Sequence, residues 1–177
     1  MNKMPETIGP EGFSELARDP ESWFVKARAL ERCADSLWSS FVQAFNTPGR
    51  AKEIPDYLET ACLLYGLCLE VAFKGTMIQA CPENVKFATG KDDSIVSFSG
   101  IGRGGHDLVA LASAAGFSDS ITPVLRLDLE TLTRCVMWLS RYPTPRKVAS
   151  TGEDPRINLG LRNRVKSLIA AVLCLGK

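Results

Sequence analysis

A single histidine sets the terms for any imidazole chemistry in this chain. His106 is the one histidine among 177 residues, so general acid–base work, or an imidazole contact to a phosphate, runs through that position. Asp107 follows it at the start of a helical pattern, where an acid suits the positive end of the helix dipole whether or not anything binds. Glu70 and Lys74 stand one turn apart in a run that reads as helix from Tyr57 to Cys81, with the acid on the N-terminal side as an ion pair prefers. The surroundings of this pair are apolar, so both groups are expected to be partly buried and to need partners. Two readings follow. Glu70 and Lys74 form a helix-internal pair that orients a bundle while His106 caps or packs, or the three face a common ligand across a groove.

The segment Gly100-Ile101-Gly102-Arg103-Gly104-Gly105 matches Gly-x-Gly-x-x-Gly and precedes a helix, the arrangement that lets backbone approach a pyrophosphate. No βαβ unit surrounds it, which argues against a dinucleotide fold. What survives is a hinge and helix cap, or free N–H groups that, with Arg103, hold a phosphate or carboxylate. Trp138, Arg141 and Tyr142, followed by Pro143 and Pro145, read as a helix end and rigid turn; the alternative is an aromatic–basic grip on nucleic acid.

The other side chains exclude several chemistries. The six cysteines (Cys33, Cys62, Cys68, Cys81, Cys135, Cys174) contain no Cys-x-x-Cys pair, and one histidine cannot complete a zinc set, so no metal and no cofactor is expected. Small buried thiols in a reducing compartment are the simpler reading. No Ser/His/Asp or Cys/His order with supporting spacing is present. Net charge is +1, but from Arg134 to Lys177 nine bases face two acids, a net +7 that leaves the remaining 133 residues at −6. That basic third could attract phosphate or an acidic partner, or could simply be solvated helix faces such as Arg162, Arg164 and Lys166. The N-terminus lacks the apolar run of a signal peptide, and no apolar stretch is expected to reach the roughly 18 residues needed to span a bilayer, so a cytoplasmic protein without membrane contact is expected.

Helical periodicity supplies the scaffold. Asp19-Pro20-Glu21 is a helix start, and Trp23, Ala27, Leu30, Ala34, Leu37, Phe41 and Phe45 recur at spacings of three or four before Asn46-Thr47-Pro48-Gly49. A second helix opens near Ile54-Pro55-Asp56 and stops at Pro82; its few charges mark it as central. Residues 82–105 form a long connection with one strand-like run, Ser94 to Phe98. A short helix from His106 to Ala115 closes at Gly116, a fourth runs from Asp128 to Arg141, and a fifth from Leu159 to Leu175. The expected fold is all-α, an up-and-down bundle of about five helices with one long loop before a short helix. The expected organisation is an N-terminal extension over residues 1–18, the bundle over 19–145, and a polar linker with a basic C-terminal helix over 146–177.

The run Tyr65-Gly66-Leu67-Cys68-Leu69-Glu70-Val71-Ala72-Phe73-Lys74, a connection, and then Gly105-His106-Asp107-Leu108 with Leu111 resembles the HEPN domain, over about Asp56 to Gly116. The resemblance implies a helical bundle, usually a homodimer, in prokaryotic defence, toxin–antitoxin or nucleotide-handling systems. Many members are metal-independent ribonucleases that use an Arg, four to six intervening residues, and a His. Here those Arg positions hold Ile101, Gly100 and Ser99, while Arg103 has only two residues, Gly104 and Gly105, between it and His106. The function the resemblance implies is therefore a non-catalytic binding module for RNA, nucleotide or a partner protein, with Glu70, Lys74, Arg103 and His106 as ligand-binding candidates. A divergent ribonuclease using His106 and Arg103, or an antitoxin-like interaction protein, are the alternatives.

Overall fold

The computed structural model describes residues 10–88, 91–99, 101, 105–139 and 159–174. Six α-helices and one two-stranded hairpin account for most of them: α1 Pro10–Arg18, α2 Pro20–Phe45, α3 Ile54–Ala80, β1 Val85–Ala88, β2 Lys91–Phe98, α4 Leu108–Ala114, α5 Pro123–Arg134 and α6 Leu159–Cys174. The expected all-α bundle is what the chain forms.

Each long helix starts where its first residues dictate. Asp19 caps α2 by accepting from the backbone of Glu21 and Ser22, and Pro20 takes the first turn, where no N–H is needed. Phe24, Ala27, Ala34, Trp38, Phe41 and Ala44 then form one buried stripe. The helical start expected at Asp128 lies earlier: Thr122 caps Leu125 and Pro123 opens α5. Beyond Arg134 the chain continues as a π-helical turn, Cys135–Leu139. The N-terminal stretch also contains a helix, α1, whose Ala17 packs with Ile78 and Val85.

The centre is α3. Its buried residues lie on every side, from Cys62, Tyr65 and Leu69 to Phe73 and Ile78, because α2, α4, α5 and α6 surround it. The stretch Ala51–Ala80 is long and apolar enough to cross a bilayer by length and composition, contrary to the sequence-based expectation, and its most apolar 18-residue window is mostly buried inside the bundle. Two glycines permit this packing. A Cβ at Gly75 would meet the Phe24 ring at 3.0 Å, and one at Gly66 would lie 2.6 Å from Val136 Cγ2 and 3.2 Å from the Leu132 carbonyl oxygen.

Part of the long connection forms the hairpin. The strand-like run Ser94–Phe98 falls within β2, which pairs antiparallel with β1 from Val85 opposite Phe98 to Ala88 opposite Lys91, with two register irregularities. Its apolar side chains Phe87, Ile95 and Phe98 pack with Trp23 beside the Ala17–Ile78–Val85 cluster.

The close approach at Gly66 is testable. Replacing Gly66 by Ala is expected to cost about 1–3 kcal/mol through overpacking against Val136 and Leu132. Urea unfolding reads this as a lowered midpoint at unchanged slope, and a midpoint equal to that of the wild type would contradict it.

Candidate functional site

Helix α4 has only two turns, and its placement depends on its ends. Asp107 is its N-cap rather than a first-turn residue, accepting from Val109 and Ala110 at 3.0 and 3.1 Å. The next donor, the Leu108 N–H, reaches Thr133 Oγ1 of α5 at 3.1 Å. At the other end Gly116, with φ +86°, turns the chain so that the Gly116 and Phe117 N–H groups meet the Ser113 and Ala112 carbonyls. The Phe117 ring then packs on Phe73 of α3, 5.8 Å between centroids. These contacts hold His106 over the middle of α3.

Glu70 and Lys74 share that face of α3 and are both buried. Lys74 Nζ donates to Glu70 Oε1 at 2.6 Å, and His106 Nδ1 lies 2.8 Å from Glu70 Oε2. Both carboxylate oxygens are thus engaged, one by each partner. The His106 side chain is 40% exposed against 8% for Glu70, so the imidazole is where this cluster reaches solvent. The Lys74 ammonium also stands over the Phe98 ring of β2, 5.1 Å from its centroid, a cation–π contact that ties the hairpin to the same group. Gly105, with φ +56°, is in the left-handed region just before His106, where a side chain would be strained.

Three of the four candidate ligand-binding residues are therefore brought together: Glu70, Lys74 and His106. Arg103 lies outside the described residues, as do Gly100, Gly102 and Gly104 of the glycine-rich run and Arg141, Tyr142, Pro143 and Pro145. Lys74 and Glu70 carry opposite charges in direct contact, so they offer a ligand no net charge, and the exposed chemistry is that of the imidazole. Among the described residues no group of three or more His, Cys, Asp or Glu is placed to hold a metal. Cys62, Cys68 and Cys135 are buried, whereas Cys33, Cys81 and Cys174 are exposed, which corrects the expectation of buried thiols for half of them. Burial pushes the Cys68 thiol up to about 12, and a hydrogen bond with Cys135, together with burial, raises that of Cys62.

A second polar cluster was not anticipated. Tyr65 Oη of α3 donates to Asp35 Oδ1 of α2 at 2.7 Å, Arg162 of α6 donates to both Asp35 (2.8 Å) and Tyr65 Oη (3.1 Å), and Lys166 pairs with Asp35 and Glu31. Arg164 forms a bidentate pair with the buried Asp128, at 2.5 and 3.0 Å. All three cations of α6 are thus spent on the bundle's own acids, and neither a free basic surface nor simple solvation describes them. The sequence signal was two complementary i, i+4 pairs, Glu31/Asp35 and Arg162/Lys166, on helices whose adjacency the sequence does not state.

Two cavities accompany these clusters. One, of about 270 Å³, is lined by Phe13, Leu16, Ala17, Trp23, Val71 and Ile95, and Trp23 meets Phe98 edge-on at 5.3 Å between centroids. The other, of about 380 Å³, lies between α5 and α6 around Thr122, Leu125, Arg164 and Leu168. Neither is lined by Glu70, Lys74 or His106. No family profile, characterised protein or solved structure matches this chain.

The two clusters respond differently to perturbation. Replacing Glu70 by Ala strands the Lys74 ammonium in a buried setting and is expected to cost about 3–5 kcal/mol. Replacing the half-exposed His106 by Ala costs about 1 kcal/mol or less in the same unfolding measurement. For Asp35, burial opposes ionisation, but hydrogen bonds from Lys166, Tyr65 and Arg162 outweigh it and hold its pKa below the ordinary carboxylate value. A depressed folded-state pKa contributes stability that is present above about pH 4 and is lost as pH falls through the folded value. The Asp35→Asn variant is therefore expected to be less stable at neutral pH and to lose less stability on acidification below about pH 4. Parallel acid profiles for variant and wild type would contradict this role.

Proposed function

We propose that this chain is a HEPN-like binding module for RNA or a nucleotide, with His106 as the side chain that meets the ligand. The single observation that carries the reading is the Glu70–His106 contact: a buried carboxylate holds one nitrogen of an imidazole whose ring remains 40% exposed. Held rings of this kind serve recognition or proton transfer, because the carboxylate fixes orientation and tautomer. Lys74 contributes from behind by neutralising Glu70, in place of the direct anion contact expected from its charge.

A labelled single-stranded RNA and a ribonucleoside triphosphate, followed by fluorescence anisotropy and calorimetry, test the reading. The wild type is expected to bind at least one of them, and His106→Ala is expected to lose about tenfold or more in affinity while remaining folded. Equal affinity of the two proteins, or no binding of either ligand, would overturn it.

The same contact favours a second reading, a divergent metal-independent ribonuclease in which His106 moves the proton. That reading requires RNA cleavage in the presence of chelator that disappears in His106→Ala; intact RNA after prolonged incubation removes it.

A further inference from the structure

The Glu70 carboxylate has one oxygen on the Lys74 ammonium and the other 2.8 Å from His106 Nδ1. The carboxylate of this ion pair only accepts hydrogen bonds. The ring nitrogen facing it must therefore carry the proton. A neutral imidazole has one N–H, so once Nδ1 donates to Glu70, Nε2 is left with its lone pair. Among the described residues Nε2 has no hydrogen-bond partner, and the side chain is 40% exposed.

From this geometry we infer that Glu70 is a positioning residue that locks His106 in the Nδ1–H tautomer, so that Nε2 meets the ligand as an acceptor and takes a hydrogen bond from a ligand hydroxyl. The inference rests on the binding reading above and specifies which part of the ligand His106 touches. A phosphate oxygen is itself an acceptor, so a neutral His106 gains nothing from facing one. A sugar hydroxyl supplies the missing donor, and the ribose 2′-hydroxyl is the donor that RNA has and DNA lacks. Lys74 belongs to the lock as well. By donating to Oε1 it leaves Oε2 for the ring, and its contact with Phe98 holds the ammonium in place.

The lone histidine makes the lock directly observable, since long-range ¹H–¹⁵N correlation on the full chain yields one set of ring signals. In mildly alkaline buffer, where an imidazole is neutral, the expected spectrum shows a protonated Nδ1 and an unprotonated Nε2. A wild-type ring with the proton on Nε2 would overturn the inference without any variant being made. Glu70→Gln then separates positioning from packing. With Lys74 donating to the amide oxygen, the amide N–H faces Nδ1, and the proton is expected to move to Nε2. An unchanged tautomer in the folded variant would overturn the assignment of the lock to Glu70.

Binding supplies the second arm. RNA and DNA oligonucleotides of one sequence are compared, and the wild type is expected to prefer RNA by about tenfold, a preference reduced in Glu70→Gln. Equal, His106-dependent affinity for both would overturn the hydroxyl contact and leave the binding reading standing. Failure of both oligonucleotides to bind would overturn the hydroxyl contact, and failure of the ribonucleoside triphosphate as well would overturn the binding reading with it.

Discussion

A carboxylate placed on the most buried helix of a bundle has to be answered by positive or donating groups, and much of this molecule is arranged around that requirement. Moving an isolated carboxylate out of water costs several kcal/mol. Glu70 sits where α3 is covered on all sides, so the cost is met locally by Lys74 one turn along and distantly by His106 from the start of α4. The cation that answers the carboxylate then needs its own cover, which Phe98 gives from the hairpin. One buried charge thus sets where a loop, a strand and a short helix come to rest.

The same logic recurs at α6. Asp35 and Asp128 stand on α2 and α5, and the cations that satisfy them come from the C-terminal helix. On the same helix, Leu161, Val165 and Ile169 are fully buried against the core. The apolar face provides most of the burial, and the ion pairs fix the rotation of α6 about its axis, since a helix turned by one residue would leave Asp128 unpaired. The three cations of α6 are therefore an internal complement to acids on α2 and α5.

Helix identity was largely legible from the chain. Asp19-Pro20 and Ile54-Pro55 mark starts because the cap and the missing N–H are local effects, and Gly116 marks a stop for the same reason. Thr122-Pro123 carries the same kind of signal, but α5 exposes Val124 and Leu127 near its start, so the apolar stripe in the sequence begins later than the helix. The hairpin was half legible: β2 has a strand-like run, whereas β1 is four residues long and follows directly on a helix end. For the site, Glu70 and Lys74 were visible as charges in an apolar helix, and His106 as the lone imidazole. Their meeting was not, because it spans 36 residues and depends on where α4 docks. The Asp35–Arg162 contact spans 127 residues and left only its separate halves in the sequence.

The hairpin has a further consequence for the entropy of the chain. Bringing His106 onto Glu70 closes a loop of 36 residues, and the penalty for closure rises by about 0.6 kcal/mol for each doubling of free length. Val85 opposite Phe98, with the Ser99 N–H on the Asn84 carbonyl, staples that excursion near its base. In sequence, only the short span from Ser99 to Gly105 then separates the hairpin from His106. The two strands, small as they are, let the histidine find its acid at roughly the cost of a tight loop.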